Sequence, residues 1–114
     1  MSRKTPVSVF GHRLRQARSL ARIPQDQLGV QIGLEESSAS ARMSRYETGV
    51  HEPPFETAVR LAAALSVPTA YLFCEDDELA ALLLVWGRLN KSERKRAKSL
   101  LESEFGARVA SHPS

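Results

Sequence analysis

Apolar residues recur along this chain at the three- and four-residue spacing that places side chains on one face of an α-helix. Short polar, proline- or glycine-containing segments interrupt the spacing and divide the chain into seven predicted helices. The pattern therefore predicts an all-α protein. We expect a five-helix domain over residues 7–74, a C-terminal helical hairpin over residues 75–106 and a disordered tail over residues 107–114.

The first helix is predicted to begin after Ser8, a suitable N-cap, and to reach about Ala21. Its core stripe consists of the apolar residues at helical spacing, namely Phe10, Leu14, Ala17 and Ala21. His12, Arg13 and Arg15 lie off this stripe, and we expect all three to be solvated.

Two short helices joined by a glycine-containing turn are predicted between Gln25 and Gly49. Leu28 and Ile32 share a buried face of the earlier helix, and Gly33 can adopt the left-handed conformation that ends it. On the later helix one side carries Ala39, Met43, Tyr46 and Glu47, and the other side carries Ser38, Ala41, Arg42 and Arg45. Arginine can donate two hydrogen bonds to guanine, and small residues allow close approach to a major groove. The pattern therefore predicts a helix-turn-helix.

The order of these residues resembles the xenobiotic-response-element family of lambda-repressor-like DNA-binding domains. The resemblance covers roughly residues 7–73 and rests on a dozen ordered positions. The residues that carry it are Phe10-Gly11, Leu14, Arg18, Gln25, Leu28-Gly29, Gly33-Leu34, Met43 to Glu47, Gly49, Pro53, Leu61-Ala62, Leu65, Val67-Pro68 and Tyr71 to Phe73, of which about a dozen positions are the most specific. It implies the five-helix fold of that family and binding to double-stranded DNA.

Specific roles follow for the residues of this segment. Arg42 and Arg45 are expected to read base edges, supported by Ser38, Ser40, Ala41 and Ser44. DNA phosphates are expected to be held by Gln25, Thr48 and His51. The resemblance also implies an ion pair between Arg18 and Glu47 that fixes the first helix against the recognition helix. The alternative for Arg18 and Glu47 is that they are two unrelated surface charges. The alternative for Gln25 is that it only faces solvent.

The turn departs from the family pattern in length. Ten positions separate Gly33 from Met43, where the family commonly has six. Either the turn is longer, or the recognition helix begins one turn earlier with Ser37 or Ser38 as its cap. The stripe of small and arginine residues favours the earlier start. Glu35 and Glu36 would then suit the positive end of the helix but repel a phosphate there.

The predicted hairpin carries more apolar surface than one packed face needs. Leu79, Leu82, Leu83 and Trp86 are expected to cover one side of helix six, which leaves Leu84 and Val85 exposed in a monomer. We expect these six residues to form a homodimer interface. The alternative is that helix seven covers the surface within one chain. Asn90 and Glu93 predict a capping box for helix seven, and Gly106 predicts its end.

The distribution of charge and the number of cysteines limit the kinds of function that the sequence supports. The net charge is +3, and it lies in residues 1–73, which hold nine Lys and Arg against six Asp and Glu, while residues 74–114 hold seven of each. The single cysteine, Cys74, and the three scattered histidines provide no metal cluster. No secretory signal and no membrane-spanning run is apparent, so a cytoplasmic location is expected.

The leading hypothesis is a sequence-specific DNA-binding transcriptional regulator, expected to be a repressor that binds a two-half-site operator as a homodimer. The alternative is a protein-interaction or antitoxin-like regulatory subunit that uses the same fold. No nucleophile–base pair, paired catalytic carboxylates or phosphate loop appears, so neither enzymatic activity nor a cofactor is expected. The sequence does not determine a small-molecule effector. Arg3 and Lys4 form a basic arm that we expect to be solvated, with a minor-groove contact as the alternative.

Overall fold

The computed structural model describes residues 8–110, with side chains described as far as residue 108. No strand occurs within this part of the chain. The predicted all-α fold is confirmed. The elements are α1 (Val9–Ala21), α2 (Gln25–Gln31), α3 (Glu36–Thr48), α4 (Phe55–Leu65), a 3₁₀ helix (Thr69–Phe73), α5 (Asp77–Arg88) and α6 (Lys91–Ala110). The basic arm, with Arg3 and Lys4, and residues 111–114 lie outside the described residues.

One hydrophobic core holds the first five elements together. Its fully buried side chains come from every one of these elements and include Leu14, Leu28, Met43, Leu61, Tyr71 and Leu72. The predicted fifth helix is a single 3₁₀ segment, and its Tyr71 and Leu72 close the core as expected. Phe73, in contrast, is half exposed and stacks against Phe55 at the surface.

The boundaries of α1 agree with the sequence prediction. The Ser8 hydroxyl accepts a hydrogen bond from the Gly11 amide at 2.9 Å, and the helix ends at Ala21. The predicted core stripe is correct for its other three members but wrong for Ala21, which is exposed. The prediction that Arg13 is solvated is also wrong, because this side chain is only 3% exposed.

The turn between α2 and α3 is short, and the longer turn is excluded. Gly33 has a φ of 101°, as predicted, and α3 begins at Glu36. The extra residues therefore lengthen α3 at its N-terminus by a turn. The caps proposed at Ser37 or Ser38 are wrong, since Glu35 is the N-cap and its side chain makes no capping hydrogen bond.

The face of α5 that packs against the domain differs from the predicted one. Ala80 is buried, and Leu83 and Leu84 pack against the core, so this side faces the five-element domain. Leu79, Leu82 and Val85 are 47%, 51% and 56% exposed and point away from the domain. The expectation that Leu84 is exposed is wrong, whereas the expectation for Val85 is confirmed. Trp86 is half-buried.

The final helix, α6, projects from the rest of the chain. Asn90 and Glu93 form the predicted capping box, each accepting the other's amide hydrogen at 2.8–2.9 Å. Gly106 does not end the helix, which continues to Ala110, so residues 107–110 are helical rather than part of a disordered tail. None of the α6 side chains that the structure describes is buried. Among the described helices, none packs extensively against α6. Helix seven therefore does not cover the apolar surface of helix six.

Candidate nucleic-acid interface

The recognition helix α3 is held against α2 by a close backbone approach. A Cβ atom placed on Gly29 would lie 2.8 Å from the Cβ of Ala39, so only glycine fits at this crossing. Ala39 and Met43 are fully buried, and Tyr46 and Glu47 are nearly so. This face fixes the helix to the core and leaves its opposite face to solvent.

The exposed face of α3 carries the residues predicted to read bases. Ala41, Arg42 and Arg45 are exposed, while Ser38 and Ser44 are half-buried at its borders. Among the described residues, no acidic side chain forms an ion pair with Arg42 or Arg45. Both guanidinium groups are therefore available to bind an acceptor outside the protein.

A shallow cleft of about 400 Å³ lies beside this face. The residues lining it are Arg42, Arg45, Tyr46, His51, Glu52 and Pro54. The loop after α3 is tied to the helix because the His51 amide donates to the Arg45 carbonyl at 3.2 Å. The cleft thus combines the arginines with His51, one of the residues predicted to hold phosphate.

Arg18 and Glu47 are brought together by the packing of α1 on α3. The Arg18 guanidinium donates to the two carboxylate oxygens of Glu47, at 2.5 Å from Nε and 3.2 Å from Nη2. The Glu47 side chain is 1% exposed and that of Arg18 is 18% exposed. A bidentate pair at this depth is geometrically specific and fixes the relative position of the two helices. Arg15 reaches the same carboxylate only at 3.8 Å.

Gln25 extends this network from the core toward the exposed face. Its side-chain amide donates to Glu47 Oε1 at 3.1 Å, and its carbonyl oxygen accepts a hydrogen bond from the Ser40 hydroxyl at 3.3 Å. Ser40 therefore lies on the side of α3 that faces α2, and not on the side that carries Arg42 and Arg45. Sequence spacing placed Ser40 with the base-reading residues, and this contact with Gln25 was not anticipated.

Two other predicted residues use their hydroxyl groups locally. Thr48 donates to the Ser44 carbonyl at 2.9 Å, and Ser38 donates to the Glu35 carbonyl at 3.4 Å. Thr48 and His51 are both exposed at the C-terminal end of α3. The predicted DNA-contacting residues therefore belong to α2, α3 and the loop after α3, although their hydrogen-bonding partners differ.

Comparison with known proteins agrees with this geometry. Residues 9–72 match the helix-turn-helix domain family. The chain is a helix-turn-helix protein of the xenobiotic-response-element type. Among solved structures, this helix-turn-helix protein is similar to one described as the crystal structure of transcriptional regulator BswR, with a TM-score of 0.79 and 43% sequence identity. The similarity covers 85% of this chain and 96% of that chain, and a search of curated proteins found no match.

The described part of this helix-turn-helix protein shows neither a metal cluster nor a membrane-spanning helix. Within residues 8–110, no group of three or more His, Cys, Asp or Glu side chains could hold a metal ion. None of the described helices combines the length and apolar character that a membrane span requires. The residue that sequence reasoning missed is Arg13, whose buried contacts with residues 74–77 depend on long-range packing. Local periodicity places it off the apolar stripe and gives no signal for these contacts.

Proposed function

We propose that this protein is a sequence-specific DNA-binding transcriptional regulator. The observation that carries the proposal is the exposed face of α3, where Arg42 and Arg45 have no acidic partner among the described residues and stand beside small side chains. Such a face fits the major groove, where arginine donates two hydrogen bonds to guanine. The similarity to a transcriptional regulator supports the same role. Its place of action would be the cytoplasm, where such a regulator meets DNA.

In this proposal, Arg42 and Arg45 read bases while Ala41, Ser38 and Ser44 permit close approach. Thr48 and His51, exposed at the end of α3, lie where the phosphate backbone would pass. Gln25 would contact a phosphate from the N-terminus of α2 while Ser40 and Glu47 hold its amide in place. Arg18 and Glu47 do not touch DNA and instead fix the angle of the recognition helix.

The protein is proposed to bind its operator as a homodimer through residues 75–110. A single module of this size buries little surface on DNA, and two half-sites raise affinity and specificity. Exposed apolar side chains on α5 and α6 support the interface. They are Leu79, Leu82, Val85, Leu100, Leu101 and Phe105. Trp86 borders this surface, whereas Leu83 and Leu84 are assigned to packing on the DNA-binding domain.

The effect on transcription is proposed to be repression. A dimer seated in the major groove of a promoter excludes polymerase without any further protein contact. The alternative function is a protein-interaction subunit, for which the specific observation is the large exposed apolar surface of α5 and α6. The two functions differ in whether the α3 face binds DNA at all.

Selection of duplexes from a random-sequence pool tests the proposal. We expect the wild-type protein to enrich one motif with two-fold symmetry, because a symmetric dimer presents two copies of α3. Failure to retain any duplex at low salt would contradict DNA binding and favour the protein-interaction alternative. Retention without a shared motif would contradict sequence-specific reading by the α3 arginines.

A further inference from the structure

Arg13 is a buried arginine that joins the DNA-binding domain to the segment leading into α5. Its Nε donates to the Cys74 carbonyl at 2.7 Å. One terminal nitrogen, Nη2, donates to the Glu75 carbonyl at 3.3 Å and to an Asp77 carboxylate oxygen at 2.9 Å. The other, Nη1, donates to the side-chain oxygen of Gln16 at 3.1 Å. All three guanidinium nitrogens are thus engaged, and two of them bind residues 74–77.

The guanidinium is also held by an aromatic ring. Its Cζ lies 5.7 Å from the centre of the Tyr71 ring, a cation–π distance. Tyr71 is fully buried, and this burial raises the pKa of its phenol. That hydroxyl donates to the same Gln16 oxygen that accepts from Arg13. Gln16 and Tyr71 therefore brace Arg13 from two sides.

The backbone carbonyls matter more than the carboxylate in this arrangement. The Asp77 side chain is 91% exposed, so its ion pair with Arg13 is screened by water and contributes little. The carbonyl of Cys74 lies beside a buried side chain and accepts the shortest of these hydrogen bonds. A planar guanidinium can donate hydrogen bonds to several acceptors at fixed angles, whereas a lysine ammonium cannot donate to all of the acceptors that Arg13 binds.

We propose that Arg13 is a positioning residue that sets the orientation of α5 relative to the recognition helix. Arg13 lies on α1, which packs directly against α3, and residues 74–77 lead straight into α5. The proposal rests on the proposed dimeric function, because the exposed face of α5 is assigned to the dimer interface. In such a dimer, the angle that Arg13 fixes determines the distance between the two recognition helices, and hence the preferred spacing of half-sites.

The orientation is measured in the full chain by N–H residual dipolar couplings, without DNA. In the wild type, a single alignment tensor should fit the couplings of α1–α4 and of α5. In Arg13→Lys, the α5 couplings should no longer fit that tensor, whereas Asp77→Asn, the matched control, should behave as the wild type. A single tensor that still fits both sets in Arg13→Lys would overturn the proposal. If Arg13→Lys does not fold, Gln16→Ala replaces it with the same expectation.

Half-site spacing is then measured on operators lengthened or shortened by one base pair, which moves a half-site by about 3.4 Å and 34°. The wild type should prefer its best spacing by about tenfold, comparable to one lost base contact. Arg13→Lys should lose most of this preference while binding a single half-site as the wild type does. An unchanged preference would overturn the role in spacing. A wild type that binds paired half-sites no more tightly than a single half-site would refute the dimeric function instead, and the couplings alone would then decide the role of Arg13.

Discussion

At the residue scale, Arg45 combines exposure with the absence of an ion-pair partner among the described residues. We predict that Arg45→Ala loses about 1–3 kcal/mol of discrimination between the operator and a scrambled duplex, the value of one bidentate base contact. The thermal melt should stay at the wild-type value, because truncation opens no buried space. Fluorescence anisotropy on both duplexes measures the discrimination.

The matched control is Arg60→Ala, which removes the same charge from an exposed position on α4, outside the proposed dimer interface. This variant should keep the wild-type preference for the operator, although both variants lose one positive charge. Equal losses of discrimination in the two variants would mean that Arg45 acts only through charge and does not read a base.

Glu47 is predicted to act on stability rather than on base reading. Its carboxylate is buried and binds both Arg18 and Gln25, so Glu47→Ala leaves these two side chains without their acceptor. We expect a loss of about 3 kcal/mol in the free energy of unfolding, measured by urea denaturation. The control Glu36→Ala, an exposed glutamate on the same helix, should cost less than about 1 kcal/mol. Equal unfolding free energies for the two variants would contradict the buried network.

At the scale of the elements, α5 has two apolar sides, of which one packs against the domain and the other is exposed. Leu82 points away from the domain, and Leu84 packs against its core. We predict that Leu82→Ser weakens self-association with little effect on the fold. Leu84→Ser should instead destabilise the DNA-binding domain by about 2 kcal/mol, because it removes partly buried apolar surface. Sedimentation and urea denaturation on both variants separate these effects. Loss of stability in Leu82→Ser alone would show that the two sides are assigned wrongly.

Sequence periodicity predicted the elements well wherever one face of a helix is apolar. The stripe of α1, the turn at Gly33 and the buried side of α3 all follow from spacing, because a single apolar face leaves only one way to pack. The same reasoning failed for α5, which is apolar on nearly all sides. The missed signal was the pair of small residues on its inner side, Ala80 and Gly87, which allow close packing. A Cβ atom on Gly87 would lie 2.9 Å from Pro68 Cδ.

For the candidate site residues, too, some features were predicted from the sequence and others were not. Exposure of Arg42 and Arg45 follows from helix geometry, since both lie outside the buried stripe of Ala39, Met43 and Tyr46. The contacts of Arg13 could not be predicted this way, because they join residues more than sixty positions apart in the chain. Ser40 was placed with the base-reading residues because residue spacing along α3 carries no information about its contact with α2. In the structure its hydroxyl donates to the side-chain oxygen of Gln25.

At the scale of the whole molecule, the chain is elongated. Its radius of gyration is 16.8 Å, against about 13 Å for a compact domain of 100 residues. The extension comes from α6, a helix of 20 residues in which no described side chain is buried. A helix gains most of its stability from tertiary packing, so α6 needs a partner surface. In the proposed homodimer, a second copy of the chain provides one.

We therefore predict that a chain ending at Asn90, which keeps α5 on the domain, dimerises less than the full chain. Sedimentation at matched concentrations should show the full chain as a dimer and the shortened chain shifted toward monomer. The shortened chain should keep its affinity for a single half-site, since α3 is untouched. Identical association of the two chains would exclude α6 from the interface.

The most direct test of DNA reading by paired α3 helices is a hydroxyl-radical footprint on the duplex selected from the random pool. We expect two symmetric protected regions whose centres are separated by one helical turn, about 10 base pairs, or a multiple of it. In Arg45→Ala, protection of both regions should weaken at the same protein concentration, because about 1–3 kcal/mol of discrimination is lost. A single protected region, or equal protection of the scrambled duplex by the wild type, would contradict the account.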